Sequence, residues 1–228
     1  GLGALGGLQG AIGWWMVSSG LTGTMLDVAS YRLAVHLGLA FVILGFITWY
    51  ILLLGREERE LMQARRDRER RLFAMSGGWL HFGFLQILLG ALVAGIDAGR
   101  SYTDWPLMSG QFIPPYIWMP ELGWRNFFEN AGLVQFMHRM VAYVIFLYGS
   151  FIVFRSRKSP NRRTRNAFAL AYLVLLLQVA LGVVTVLHAS PWQIAIVHQF
   201  LAVVMWVMVL RARFAAGYPL AQSVRGNA

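Results

Sequence analysis

Six apolar stretches, each long enough to cross a bilayer, constrain this chain more than any other feature. Spanning the hydrocarbon core as a helix takes about 20 mostly apolar residues. Because the bilayer core has no water to satisfy free backbone groups, each span must be helical. The sequence therefore predicts an all-α polytopic membrane protein with six transmembrane helices, at residues 1–19, 31–54, 76–96, 133–154, 167–187 and 194–212.

Basic residues predict how these spans are oriented. Most of the 20 Lys and Arg residues fall in residues 55–71, in residues 155–165 and in the tail from Arg211. Because cytoplasmic loops carry an excess of Lys and Arg, we predict that these loops and the C-terminus are cytoplasmic. The net charge of +10 is then a topology signal. We therefore expect no nucleic-acid partner.

A helix with a central glutamine, followed by a helix with a histidine near its start, occurs three times. Each glutamine has a glycine four residues later, and the three sets are Gln9, Gly13 and His36; Gln86, Gly90 and His138; and Gln178, Gly182 and His198. At a rise of about 1.5 Å per residue, the three histidines lie at similar depth. Imidazoles from facing helices can supply both axial ligands of a haem iron. We predict that His138 and His198 bind one haem and that His36 is a ligand of a second.

Other polar side chains in the spans leave two interpretations open. Gln86 and Gln178 are candidates for contact with a cofactor, although glutamines and glycines in membrane helices also serve helix packing. Arg139 and Arg32 flank the ligand candidates. They either pair with haem propionates or extend toward lipid headgroups.

The two remaining histidines break the repeat. His81 lies near the cytoplasmic end of its span, where we expect a packing role. His188 lies in a short outer turn, where a contact with a cofactor edge and a loop role are both open. The chain has no cysteine, which excludes disulfides and thiolate metal sites. No residue is assigned as catalytic.

The repeat also predicts the domain organisation. Residues 1–54 form the second half of an N-terminal bundle, residues 55–75 a basic linker, residues 76–213 a complete C-terminal four-helix bundle, and residues 214–228 a cytoplasmic tail. The outer segment 97–132 contains four prolines and three tryptophans, which is typical of a functional lid. We expect two further helices upstream, in a parent protein of eight helices arranged as two pseudo-symmetric bundles.

Several segments match the pattern of a known family: LGGLQGAIGWWMVSSGL, YRLAVHLGLAF, LQILLGALVAG, SYTDWPLMSGQFIPP, NFFENAGLVQFMHRMVAY, LLLQVALGVVTVL and IAIVHQF. Together they resemble the haem A synthase family, in the cysteine-free form of alphaproteobacteria and mitochondria. The resemblance covers essentially the whole chain. It implies a membrane haem-dependent oxidoreductase, which oxidises the C8 methyl of haem O to a formyl group by successive hydroxylations for cytochrome c oxidase biogenesis.

The resemblance also implies roles for particular residues. His138 and His198 correspond to the ligands of the C-terminal haem b, and His36 to one ligand of the N-terminal site for the substrate, haem O. The family's first histidine and an important glutamate belong to an upstream helix, so turnover by this chain alone is left open.

Location and partners follow from the same resemblance. It implies the bacterial inner (cytoplasmic) membrane, or the mitochondrial inner membrane in a eukaryote. The expected partners are haem O and haem A, the lipid bilayer, haem O synthase and cytochrome c oxidase assembly factors. A homo-oligomer is left open.

Two rival functions remain at this stage. A b561-like bis-His dihaem membrane electron carrier would have a similar haem bundle, but it does not need the WPLM lid or the two-bundle repeat. A transporter built on repeats would explain the glutamines at mid-membrane. It would not explain three histidines at one depth.

Overall fold

Helices account for all six predicted spans. The computed structural model describes residues 1–20 and 28–221, in which eight α-helices occur. Their bounds are α1 Leu2–Val17, α2 Ser30–Leu54, α3 Glu58–Arg66, α4 Arg70–Gly95, α5 Asn126–Glu129, α6 Ala131–Ser156, α7 Arg162–Leu187 and α8 Trp192–Gly217. Two short 3-10 helices, Ala98–Arg100 and Pro120–Arg125, lie between α4 and α5. These ranges contain no β-strand, which confirms the all-α prediction.

Five of the helices, α2, α4, α6, α7 and α8, are long and apolar enough to cross a membrane. The first predicted span differs, because α1 has 16 residues. The polytopic membrane class is confirmed, with five full-length candidate spans in the described residues where six were predicted.

Helix ends at the basic loops differ from the predicted span ends. The first turn of α4 and all of α3 lie in the predicted linker 55–75, and α7 starts at Arg162. Apolar length marks only the part of a helix inside the bilayer, so charged end turns were left out of the prediction. Asn161 caps α7 by accepting hydrogen bonds from the amides of Arg163 and Thr164. Of the predicted tail 214–228, residues 222–228 lie outside the described residues.

Four helices form a closed ring. Helix α4 packs against α6 and α8, and α7 packs against the same two helices, so α6 and α8 occupy diagonal positions. The core of this ring includes Trp79, Ile152 and Phe168. Gly149 lets α6 approach its neighbours, because a Cβ there would lie 2.7 Å from Leu175 and 3.1 Å from Trp79. Outside the ring, α2 packs on α4 and α8, and α1 packs on α2.

The two ends of the ring are chemically different. At one end the termini of α2, α4, α6 and α8 meet. Arg56 Nη1 donates to the Tyr218 carbonyl at 2.7 Å, and the Glu69 amide donates to the Ala216 carbonyl at 3.0 Å. We call this the basic end, because the arginine-rich loops lie there. The opposite end, which carries the segment 97–130, is called the loop end.

Candidate functional site

One polar contact joins a glutamine helix to the following histidine helix at three places. In each, the glutamine amide nitrogen donates to the backbone carbonyl of the histidine, across α1–α2, α4–α6 and α7–α8. The donor–acceptor distance is 3.1 Å in all three, for Gln9 to His36, Gln86 to His138 and Gln178 to His198. The repeat predicted from the sequence is therefore also a repeat of contacts.

A glycine one turn after each glutamine faces the imidazole ring. A Cβ at these glycines would lie 2.9, 3.2 and 3.0 Å from the histidine Cε1, for Gly13 and His36, Gly90 and His138, and Gly182 and His198 respectively. All three distances are shorter than an ordinary van der Waals contact. Any larger residue would displace the ring, so the glycines set how closely each imidazole approaches its glutamine helix.

The ring nitrogens of the three histidines are in different environments. The Gln9 amide nitrogen lies 3.3 Å from both ring nitrogens of His36, and that of Gln86 lies 3.1 Å from both of His138. Because the distances are equal, neither contact selects a tautomer. In contrast, Nδ1 of His198 is buried without a hydrogen-bond partner. A buried nitrogen with no partner costs about 1–3 kcal/mol, which a bound ligand would recover.

The glutamine side-chain oxygens share this property. Oε1 of Gln9, Gln86 and Gln178 is buried without a hydrogen-bond partner, although each amide nitrogen is used. Buried unpartnered polar atoms are uncommon in native proteins and call for a specific reason. Here the same atom recurs at the same position of each repeat.

The arrangement of the four helices puts His138 and His198 on opposite sides of one bundle. His138 is on α6 and His198 on the diagonal helix α8, and each imidazole lies against a glycine of an intervening helix. Facing helices of a bundle are the usual position for two axial haem ligands. Within residues 1–20 and 28–221, no group of three or more His, Asp or Glu side chains could hold a metal ion. A haem iron takes two axial side-chain ligands, and two imidazoles on diagonal helices are of the chemical type that can supply them.

Arg139 is next to His138 and is buried, and it has contacts that the sequence did not predict. Its Nη1 donates to the carbonyls of Asp104 and Leu107, both at 2.9 Å, and Nη2 donates to the Tyr102 carbonyl at 3.0 Å. The guanidinium therefore attaches the outer segment to α6. Arginine has five N–H donors, so two remain. The propionate contact stays a prediction.

Asp104 closes a tight turn in that segment. Its carboxylate accepts hydrogen bonds from the Ser109 and Gly110 amides, both at 2.9 Å, and both residues have positive φ. The hydrogen bond from Gly110 is the main cause that lowers the pKa of Asp104, and Ser109 and Arg139 lower it further. The sequence analysis gave Asp104 no role. Its partners lie five and six residues further along the chain, beyond the spacing of a simple Asx turn, so no local signal indicated one.

Two buried asparagines hold the rest of the outer segment. The Asn126 side chain donates to the carbonyls of Met119 and Gly123 and accepts from the Met119 amide. Asn130 donates to Asn126 Oδ1 at 2.9 Å and caps α6 by accepting from the Leu133 amide. The sequence analysis missed both residues. The predicted lid is thus an ordered segment held by buried amides.

The remaining candidates take no part in the glutamine–glycine–histidine contacts. The Nδ1 atoms of His81 and His188 are within 2.7 and 2.9 Å of the backbone carbonyl four residues earlier, and both side chains are exposed. Arg32 Nη1 donates to the Trp15 carbonyl at 2.7 Å, with its guanidinium 4.5 Å from the Trp15 ring centre. Arg32 therefore ties α2 to α1, much as Arg139 ties α6 to the outer segment.

Comparisons with known proteins give one consistent result. A family model described as cytochrome oxidase assembly protein matches residues 1–210. Curated proteins named heme A synthase are similar to the chain. That of Ruegeria sp. (strain TM1040) is 62% identical over 99% of this chain and 60% of its own length. That of Paracoccus denitrificans (strain Pd 1222) is 58% identical over 99% of this chain and 59% of its own length. The chain thus spans about 60% of the length of the curated relatives it matches.

Proposed function

The chain belongs to the haem A synthase family of cytochrome oxidase assembly proteins, and we propose that it acts in the oxidation of haem O to haem A. The proposed reaction converts the C8 methyl of haem O to a formyl group by successive hydroxylations, for cytochrome c oxidase biogenesis. One structural observation is the main support for this proposal. It is the threefold contact of glutamine, glycine and histidine, with two of the histidines on diagonal helices of a closed ring.

We propose that His138 and His198 are the axial ligands of a haem b in this ring. When bound, the haem would supply one-electron redox chemistry, while the protein supplies ligation and orientation. Each neutral imidazole offers a ring nitrogen to the iron. Gln86 and Gln178 hold the backbone of the two histidine turns through their amides. Metal-bound histidines depend on such outer contacts for their orientation.

His36 is the proposed ligand for the substrate, haem O. It makes the same carbonyl contact with Gln9 and the same ring contact with Gly13 as its two counterparts in the ring. Its helix α2 packs directly on α4 and α8 of the ring. This packing supports a substrate site close to the haem b site, which would suit the transfer of electrons between them.

The outer segment is the proposed cover of the loop end. Arg139 attaches its carbonyls at residues 102–107 to α6, next to His138. An ordered cover there excludes water from the haem edge, and the two free donors of Arg139 suit a propionate.

We propose that the basic end faces the cytoplasm of a bacterium, so that the C-terminus is cytoplasmic. The proposed partners are haem O synthase, which supplies the substrate, and cytochrome c oxidase assembly factors, which use the product. A thiol introduced by Ser109→Cys should react with an impermeant reagent added from outside the cytoplasmic membrane. One introduced by Arg157→Cys should not, and reversed labelling would contradict the orientation.

Separate titrations of the purified chain with haem b and haem O test the two sites. We expect tight haem b binding that is lost in His138→Ala, and haem O binding that is weakened in His36→Ala. His81→Ala, a histidine outside the repeat, is the matched control and should change neither. Loss of both haems in each variant would contradict two separate sites.

A b561-like electron carrier remains the second candidate, because the diagonal pair of histidines would serve it equally well. The discriminating readout is the substrate. A carrier has no reason to prefer haem O over haem b at His36. We expect that preference, and equal binding of the two haems there would favour the carrier.

A further inference from the structure

A cavity of about 360 Å³ opens at the basic end, between the start of α4 and the end of α6. It lies at the opposite end of these helices from the outer segment that covers the proposed haem site. Its lining includes five cationic side chains, Arg68, Arg70, Arg71, Arg155 and Lys158. From the sequence, these residues were predicted only to orient the chain in the membrane.

These cations have almost no compensating negative charge. In the described part of the chain, none of the five takes part in an ion pair. Glu69 is the one carboxylate of the lining, and it accepts a hydrogen bond from Ser159 at 2.8 Å. Five like charges around one cavity repel each other and favour the entry of an anion.

Arg68 carries a second, independent sign of a missing ligand. Its Nε is buried and has no hydrogen-bond partner. Its guanidinium carbon lies 4.4 Å from the ring centre of Phe73, and that of Arg213 lies 3.7 Å from the same centre. Contact with an aromatic ring holds a guanidinium in place while its N–H edge stays available to an anion.

The cavity also has an apolar wall. Leu72 and Met75 line it one turn further along α4, where the helix enters its apolar span. The cavity therefore straddles the boundary between charged and apolar surface, which is the depth of phospholipid headgroups. Basic pockets between membrane helices on the cytoplasmic side are known to bind anionic lipid headgroups.

We propose that this cavity binds the headgroup of an anionic phospholipid, with its phosphate on the arginine cluster and its acyl chains along α4 and α6. A free phosphate ion would use the same cations but not the apolar wall. The ligand therefore fastens together, at the basic end, the two helices that carry Gln86 and His138.

Native mass spectrometry of the purified chain in detergent tests this with three probes. These are diphosphatidylglycerol, phosphatidylcholine and inorganic phosphate. We expect one tightly held diphosphatidylglycerol, weak binding of phosphatidylcholine, and no displacement of the lipid by millimolar phosphate. Equal binding of both lipids would overturn the proposal. Displacement by phosphate would overturn it in favour of a free-anion site.

Variants locate the site. Removing three lining cations together, by Arg68→Gln, Arg71→Gln and Arg155→Gln, should weaken diphosphatidylglycerol binding about a hundredfold, or about fivefold for each charge. The matched control removes three exposed cations of the same end that do not line the cavity, by Arg65→Gln, Arg157→Gln and Arg162→Gln. The control should weaken binding far less. Equal losses would show diffuse attraction and overturn the site.

A gain-of-affinity variant keeps the test decisive if the triple variant does not fold. Glu69→Gln removes the one negative charge of the lining and keeps an oxygen to accept from Ser159. We expect diphosphatidylglycerol to bind about fivefold more tightly to this variant. Unchanged affinity would overturn the proposal.

Discussion

The helix pair α1–α2 and the four-helix ring contain the same glutamine–glycine–histidine contact in different surroundings. Within α1 no residue is fully buried, whereas α4, α6, α7 and α8 each bury several side chains. The carbonyl contact is nevertheless 3.1 Å in both regions. The local contact is thus set by residue type and helix spacing, and the packing around it is set by the rest of the chain. The same substitution should therefore have a larger effect in the ring than in the pair.

The loss of stability on substitution should differ most between the two arginines beside the histidines, Arg139 and Arg32. Arg139→Ala removes three hydrogen bonds from a buried cation to the outer segment, and Arg32→Ala removes one from an exposed edge. We expect Arg139→Ala to lower the free energy of unfolding by about 2–4 kcal/mol, and Arg32→Ala by less than about 1 kcal/mol. Denaturant unfolding in detergent measures both. Limited proteolysis near Trp105, between the carbonyls that Arg139 holds, should be faster only in Arg139→Ala. Equal effects would contradict the comparison.

For the glycines beside the imidazoles, the loss of stability on substitution should differ less between the two regions. Gly90→Ala and Gly182→Ala each bring a Cβ to about 3 Å from an imidazole that lies within the four-helix ring. Such overpacking costs about 1–3 kcal/mol. Gly13→Ala has the closest Cβ contact of the three, but among the described helices the main packing of α1 is on α2, so α1 can move away. We expect a cost below about 1 kcal/mol there, measured by the same unfolding experiment. A larger cost for Gly13→Ala would show that α1 is as constrained as the ring.

The glutamines should have small effects on stability. Both Gln86→Leu and Gln178→Leu lose the hydrogen bond to the histidine carbonyl and remove a buried oxygen without a partner. Gln86→Leu also loses the contact of its amide nitrogen with the His138 ring. Interhelical hydrogen bonds in membranes contribute about 0.6 kcal/mol on average, so we expect a net change of about 0–1 kcal/mol. The haem absorption spectrum should shift because the histidine turns are held less firmly. An unchanged spectrum would remove the glutamines from the site.

The smallest expected effect concerns Asp104. Its pKa is lowered in the folded chain, mainly by the hydrogen bond from Gly110, so the ionised carboxylate stabilises the turn. This contribution is fully present above the ordinary pKa of 3.8 and is lost as the pH falls through the lower folded value. The rate at which an acid-active protease cleaves the 104–111 turn should therefore rise as the pH falls below the lowered pKa of Asp104. In Asp104→Asn the cleavage rate should no longer depend on pH, and a persistent dependence would assign the titration to another group.

The helices and the glutamine–glycine–histidine repeat could be predicted from the sequence. The contacts that hold the segment over the loop end could not. Apolar length predicted the spans, and the recurring positions of Gln86, Gly90 and His138 predicted the repeat, because both patterns can be read along the chain. The use of Arg139 was not predictable, since it depends on where the carbonyls of residues 102–107 lie in the folded chain. The roles of Asn126 and Asn130 are equally non-local. The helix ends in the basic loops were missed because hydropathy marks only the apolar part of a helix, whereas these helices continue into charged residues outside the bilayer.

The central claim is that His138 and His198 ligate one haem in the ring while His36 serves another site. Electron paramagnetic resonance of the haem-loaded chain, with haem-to-protein stoichiometry, tests it most directly. In a bis-His site both imidazoles keep the iron low-spin. We predict that His138→Ala and His198→Ala each abolish the low-spin signal of the haem b. His36→Ala and the control His81→Ala should leave it unchanged. A low-spin signal that survives in both ring variants, or one that His36→Ala removes, would contradict the account.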